Sequence, residues 1–213
     1  MKIFLLFILA YIIGSIPFGL WIGDIIFHKN LRELGSGNTG ATNTFRILGV
    51  KAGIFVLVCD MLKGTLATLL PVIFHVHGIN YLIFGVCAVI GHTFPIFAHF
   101  KGGKAVATSG GLLLAYNPWL FIFVTVIFSL FLFLTSMVSF ASLVVAICTT
   151  ILVFCSPLLH GFIVPKFDPF LDVIVLALMI FIWVRHFENF KRILNKTEST
   201  VPFGFGFFSK KRL

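Results

Sequence analysis

The sequence predicts an all-α integral membrane protein: a single bundle of seven transmembrane helices, N-terminus outside and C-terminus cytoplasmic. Composition is the first reason. Of 213 residues, 59% are hydrophobic and 11% charged, with mean hydropathy +1.10. A soluble domain carries about 25% charged residues and about 45–50% apolar ones. Disorder is excluded as well, because it needs low hydrophobicity. The second reason is the length of the uncharged runs, and the third is the clustering of Lys and Arg.

The elements follow in chain order. A helix needs about 20 mostly apolar residues to cross the hydrocarbon core. Ile3 to Gly23 is one run free of Asp, Glu, Lys and Arg. It is too long for a signal-peptide core and ends in no A-x-A-like site, so it reads as an uncleaved first helix. Gly64 to Phe100 is a second run, of 37 residues, that breaks around His75 to Asn80. Ala105 to Pro165 is a third, of 61 residues, with turn signals at Asn117-Pro118 and Thr135-Ser136-Met137. Pro169 to Val184 is interrupted only by Asp172. These limits predict helices over 3–26, 51–73, 80–98, 103–117, 119–136, 139–157 and 169–186. Five helices are the fallback count, since 103–117 is short enough to be re-entrant.

Orientation follows the basic residues. Lys29, Arg32, Arg46 and Lys51 lie in the first loop, and Lys101 and Lys104 in a later one. Arg185, Lys191, Arg192, Lys196, Lys210, Lys211 and Arg212 lie in the tail. Seven spans place these three groups on one side, the cytoplasm, and leave Lys2 and Lys166 on the other. The net charge of +9 is therefore a positive-inside signature, and no nucleic-acid partner is implied. The four cysteines show no CxxC spacing and read as small apolar residues.

Three polar clusters are not explained by lipid, and this topology puts all three on the cytoplasmic face. The first is LRELGSGNTGATNTFR, Leu31 to Arg46. Gly35, Gly37 and Gly40 permit turns in which successive N–H groups point at one anion. Ser36 and Thr42 offer hydroxyls, Asn38 and Asn43 amides, and Arg46 a planar fork matched to phosphate. No Walker A pattern is present. A solvated basic loop is the plainer reading. The second cluster is GHTFPIFAHFKGGKAVATSGG, Gly91 to Gly111. Gly102 and Gly103 sit between Lys101 and Lys104, just before a helix whose free N–H groups favour an anion. The alternative is a positive-inside turn. His92 and His99 read as packing or interfacial residues; no metal-ligand spacing occurs, so no metal and no cofactor are expected. The third is VRHFENFKRIL, Val184 to Leu194, at the end of the last helix. His186 and Asn189 share a face there, while Arg185, Lys191 and Arg192 fit simple snorkelling. Glu188 is expected to point elsewhere or to turn back to Arg185 or Arg192.

Two further features lie in predicted spans. Asp60 and Lys63 stand at i, i+3, and intramembrane ionisable residues are usually paired. A mutual structural pair is favoured over substrate contact. Ser139 and Ser142 open the sixth helix, where a serine is usually a cap; Ser142 alternatively faces an anion.

Taken together, GSGNTGATNTFR, GHTFPIFAHFKGGKAVAT and RHFENFKRIL, with DMLKG at Asp60 to Gly64, resemble the bacterial acyl-phosphate:glycerol-3-phosphate acyltransferases. The resemblance runs from the first helix to about Asn195. It implies a seven-helix enzyme of the bacterial plasma membrane, with a cytoplasmic active site, over 1–195, followed by a basic and aromatic cytoplasmic tail over 196–213. It implies transfer of a fatty acyl group from acyl phosphate to the 1-hydroxyl of glycerol 3-phosphate, giving lysophosphatidate and phosphate, the first step of phospholipid synthesis. By motif match, Ser36, Arg46, Lys104, Ser142, His186 and Asn189 would bind phosphate and carry catalysis. Gly35, Gly37, Asn38, Gly40, Thr42, Asn43, Lys101, Gly102 and Gly103 would line the substrates. Expected partners are both substrates, membrane lipid and a soluble enzyme that produces acyl phosphate.

One departure stands out. Ala105 replaces the family's usual Gly after Lys104; Ala disfavours positive φ, so the loop is expected to enter its helix one residue early. The HxxxxD pair of other glycerophosphate acyltransferases is absent. A mixed anhydride carries its own leaving group, and no Ser–His–Asp or Cys–His set is legible, which predicts direct attack by the acceptor hydroxyl. A substrate phosphate oxygen, or otherwise His186, would take the proton. The rival class is a transporter of a phosphorylated solute, disfavoured because its site would lie near the midplane with repeats.

Overall fold

The computed structural model describes residues 1–159, 163–164 and 167–210; the predicted charges Lys166, Lys211 and Arg212 lie outside them. Among the described residues every regular element is a helix. The chain divides into two compact units, Met1–Tyr116 and Asn117–Leu213.

The first unit holds α1 (Lys2–Ser15), α2 (Phe18–Ile26), α3 (Ala41–Leu48), α4 (Val50–Ile73), α5 (Leu82–Thr93) and α6 (Val106–Tyr116), with a 3₁₀ turn at Ile96–Ala98. The predicted first span is thus two helices, bent by 45°. Pro17 causes the break: it has no N–H, and it drives Ile16 to an extended ψ of 115°. Small residues let the helices approach closely, as membrane packing favours. A Cβ on Gly14 would strike the Ala88 carbonyl between α1 and α5, and one on Gly64 would strike the Thr108 carbonyl between α4 and α6. Leu6, Ala10, Ala67, Leu70, Phe84 and Ala88 form one apolar core, and Ile22, Ala52 and Val56 another.

The second unit holds α7 (Pro118–Thr135), α8 (Val138–Phe154), α9 (Pro169–Arg185), α10 (Phe187–Leu194) and α11 (Phe205–Lys210). Asn117 caps α7 by accepting from Leu120 N–H, and Asp168 caps α9 by accepting from Phe170 and Leu171. The last predicted helix does not continue through the third motif: α9 and α10 meet at a 59° bend centred on His186. Trp119, Ile122, Val126, Leu130 and Phe133 leave α7 apolar on its exposed side.

Helix covers every predicted span. By length and composition, α4 and α7 suffice alone to cross a membrane, and each bent pair adds a candidate, giving up to four. Leu82–Ala98, Val106–Tyr116 and Val138–Phe154 are apolar but shorter.

Candidate active site

In the first unit the chain leaves α2 and folds its glycine-rich loop onto α3. Gly35 and Gly37 take φ +62° and +69°, the left-handed region that the turn requires. Asn43 is buried on α3 and organises this loop. Its Nδ2 donates to the carbonyls of Leu31 (3.1 Å) and Leu34 (3.0 Å), and its Oδ1 accepts from Ser36 N–H (3.0 Å). Asn38 Oδ1 accepts from Gly40 N–H at 2.9 Å, closing an Asx turn. Both amides are therefore engaged by the loop's own backbone. Ser36, Thr42 and Arg46 are exposed, Thr42 and Arg46 one helical turn apart on α3.

The second cluster packs against the first. Leu31 is buried with Leu20 and Ala98. Arg32 Nη2 donates to the carbonyl of Ala98, and to that of Lys101 at 3.1 Å. Arg32 is the tie between the two loops, and the sequence offered it only as one more cytoplasmic positive charge. In the second loop His99 and Phe100 have φ +52° and +57°. Gly102 N–H donates to Thr93 (3.0 Å) and Gly103 N–H to His92 (3.2 Å), so these two amides hold the loop against the end of α5. A Cβ on Gly102 would strike the His92 carbonyl, and one on Gly103 the His92 ring. Lys101 is exposed and Lys104 half-buried. Ala105 takes φ +58° and is buried, and its carbonyl accepts from Ser109 N–H at 2.8 Å. The expected early helix entry does not occur: Ala105 accepts the left-handed conformation and α6 starts at Val106. The first N–H groups of α6, which precede any intrahelical bond, lie next to Lys104. Thr108 Oγ1 and Ser109 Oγ, in that first turn, are buried with no hydrogen-bond partner among the described residues.

Behind this loop runs a buried polar chain. Lys63 Nζ lies 2.8 Å from Asp60 Oδ1, the mutual pair that the spacing predicts. Lys63 also donates to the Ile16 carbonyl (2.9 Å) at the Pro17 break. His92 Nδ1 is 3.5 Å from the same Asp60 oxygen, which links this pair to the KGGK loop.

In the second unit, Ser139, Ser142, His186 and Asn189 are all buried. Neither serine caps α8, whose N-cap is Met137: Ser142 Oγ donates to the Val138 carbonyl (2.8 Å) and Ser139 Oγ to Glu198 (2.8 Å). His186 is the residue at which α9 ends and α10 starts. Its Nδ1 lies 2.9 Å from the Ile182 carbonyl. A carbonyl only accepts, so Nδ1 carries the proton and the neutral ring keeps its lone pair on Nε2. Glu188 pairs on the surface with Lys191 (3.0 Å), and with neither Arg185 nor Arg192. Glu198, which no sequence signal marked, receives Asn189 Nδ2 at 2.7 Å and Arg192 Nε at 2.8 Å. Burial raises its pKa, but bonds from Asn189, Arg192 and Ser139 outweigh this and hold it below the ordinary 4.5. Among the described residues no group of His, Cys, Asp and Glu is arranged to hold a metal.

A family model described as glycerol-3-phosphate acyltransferase matches residues 4–196. The chain is 57% identical over 204 residues to the glycerol-3-phosphate acyltransferase of Enterococcus faecalis, covering 96% of this chain and 94% of the relative. It is 56% identical to that of Lactococcus lactis subsp. cremoris, covering 98% of each. The chain belongs to the glycerol-3-phosphate acyltransferase family. Two solved structures of PlsY, an integral membrane glycerol 3-phosphate acyltransferase, resemble it. The glycerol 3-phosphate form matches with TM-score 0.84 and 32% identity, over 94% of this chain and 96% of that one. The lysophosphatidic acid form matches with TM-score 0.82 and 30% identity over the whole of both chains. This glycerol-3-phosphate acyltransferase family member is thus an all-helical membrane protein, and all three motifs fall inside the matched residues.

Proposed function

We propose that this chain is an acyltransferase that moves a fatty acyl group onto the 1-hydroxyl of glycerol 3-phosphate, releasing lysophosphatidate. Family membership at 57% identity carries the reading. The donor is acyl phosphate, whose phosphate is a good leaving group. The hydroxyl oxygen attacks the acyl carbon, the bond to phosphate breaks, and inorganic phosphate departs. Ser36, Arg46 and Lys104 hold phosphate, with Lys101, Thr42 and the first turn of α6 adding positive potential. The glycines, Asn38 and Asn43 set the loop shape that this requires. Two acceptors fit the released proton: a substrate phosphate oxygen, or Nε2 of His186. His186, Asn189 and Ser142 serve the transfer step.

The protein sits in the bacterial plasma membrane as seven spans, three of them short, with its active site on the cytoplasmic side, as the Lys and Arg distribution supports. Membrane lipid and a soluble acyl-phosphate-producing enzyme are its partners. The catalytic domain runs over 1–195, with 196–213 as its tail.

Purified protein given glycerol 3-phosphate and acyl phosphate releases phosphate and lysophosphatidate in equal amounts, and acyl-CoA does not replace the donor. Arg46→Ala and Lys104→Ala each lower turnover about 10–100-fold, as expected for a lost charge-assisted bond. Full turnover in either variant removes the phosphate-clamp roles; equal rates with acyl-CoA remove the donor.

A further inference from the structure

The Lys101–Gly102 peptide is held at both edges. Its N–H, on Gly102, donates to the Thr93 carbonyl at the end of α5 (3.0 Å), and its carbonyl, on Lys101, accepts from Arg32 Nη2 (3.1 Å). The same nitrogen donates to the Ala98 carbonyl, which also accepts from Lys101 N–H (3.1 Å). These two carbonyls bracket His99 and Phe100, the consecutive left-handed residues of the second loop. Residues with a Cβ disfavour that conformation, so the reversal needs support from outside itself. A charged donor is the stronger kind of support for a carbonyl. Among the described residues Arg32 has no carboxylate partner, and the two carbonyls are the acceptors of its guanidinium. Its Nε is buried without a partner among those residues, a cost that the Nη2 bonds offset.

Arg32 is itself fixed. Asn30 Oδ1 accepts from its N–H (3.0 Å), and Glu33 N–H donates to the Asn30 carbonyl (3.1 Å). Leu31 beside it is fully buried with Leu20 and Ala98. The side chain therefore runs from an anchored turn, four residues ahead of Ser36, to a carbonyl three residues ahead of Lys104.

We infer that Arg32 is a positioning residue for acyl transfer: by holding the Ala98 and Lys101 carbonyls it sets the glycine-rich loop and the KGGK loop at a fixed separation, and with it the placement of the phosphate-holding groups on the two loops. Each loop keeps its own cations without Arg32, so both substrates are still captured. What is lost is their mutual placement, on which attack depends. The inference rests on the phosphate-holding roles proposed for Arg46 and Lys104.

The test compares Arg32→Met, Arg32→Lys, Gly102→Ala and the Arg32→Met/Gly102→Ala double variant, with Arg46→Ala and Lys104→Ala as controls. Rates are measured over a range of both substrates, and thermal midpoints in detergent. Arg32→Met keeps most of the apolar stem and removes the donor. It should lower kcat about tenfold, the scale of a small misplacement at a reacting centre, and change either KM less than about threefold, with the midpoint little moved. Arg32→Lys, which keeps a charged donor on a shorter stem, should recover part of kcat. Gly102→Ala displaces the same peptide from its other edge, so the double variant should be at most about twofold slower than Gly102→Ala alone. Wild-type kcat in Arg32→Met overturns the inference. So do multiplying losses in the double variant, or a loss that follows a lowered midpoint in both Arg32→Met and Arg32→Lys. A loss confined to the KM of one substrate overturns it too, and makes Arg32 a ligand of that substrate. If Arg32→Met does not fold, Arg32→Gln, whose amide ends two bonds short of Nη2, is held to the same expected and overturning results. Full turnover in Arg46→Ala and Lys104→Ala instead removes the phosphate clamp, whatever Arg32→Met does.

Discussion

Lys63→Met removes two interactions at once. It takes the counter-ion from Asp60, 2.8 Å away and 3% exposed, and the donor from the Ile16 carbonyl at 2.9 Å. Breaking a buried pair by deleting one partner costs about 3–5 kcal/mol. Leaving a buried carbonyl without a donor costs about 1–3 kcal/mol more. His92 Nδ1, 3.5 Å from Asp60, offsets part of the first term. Several kcal/mol remain, and at about 2–4 °C per kcal/mol for a chain of this size the midpoint should fall by more than about 10 °C. Asp60→Asn keeps the Ile16 bond and should fall less. The Asp60→Leu/Lys63→Met double variant buries no charge and should recover most of the loss. Thermal unfolding of purified protein in detergent, followed by tryptophan fluorescence, ranks the four proteins. A Lys63→Met midpoint within about 2 °C of wild type would falsify the claim that this pair holds the α1–α2 break.

Gly102→Ala puts a methyl group into the His92 carbonyl, which cannot rotate away; acyl transfer should drop at least about tenfold, and an unchanged initial rate would show that the loop opens freely. Ala105→Gly relieves about 1–2 kcal/mol of left-handed strain, while losing a buried methyl worth about 0.8 kcal/mol and adding unfolded-state entropy. These nearly cancel, so its midpoint should match wild type; a large loss would mean that the loop has some other conformation. Glu198 has a lowered pKa, so its stabilisation is complete above 4.5 and is lost as pH falls through the lower folded value. The thermal midpoint of wild type should therefore fall toward that of Glu198→Gln only in acid, and a gap constant with pH would refute the linkage.

The helices were legible because an apolar run imposes one requirement along its whole length, and every predicted segment contains helix, though by length and composition at most four suffice as spans. Pro17 was legible too, but a continuous apolar run hid its effect. The short helix α3 was not read, since eight residues of mixed polarity show no span and its stability comes from Asn43 and Phe45 packing inward. The three motifs marked the right stretches, yet composition does not separate residues that shape a loop from those left exposed on it. Asn43 and the Gly102 and Gly103 amides are spent on backbone carbonyls. Arg32 and Glu198 were illegible for another reason: Arg32 donates to Ala98, 66 residues away, and Glu198, besides Asn189 and Arg192 nearby, accepts from Ser139, 59 residues away, and no local pattern encodes those pairings.

The same separation sets an order of events during synthesis. Ser139 leaves the ribosome 59 residues ahead of the carboxylate that receives its hydroxyl, about 3–12 s earlier at ordinary elongation rates. Over that interval the Ser139 hydroxyl is without that acceptor. The first unit has such a wait as well: Arg32 is made 66 residues ahead of the Ala98 carbonyl to which it donates.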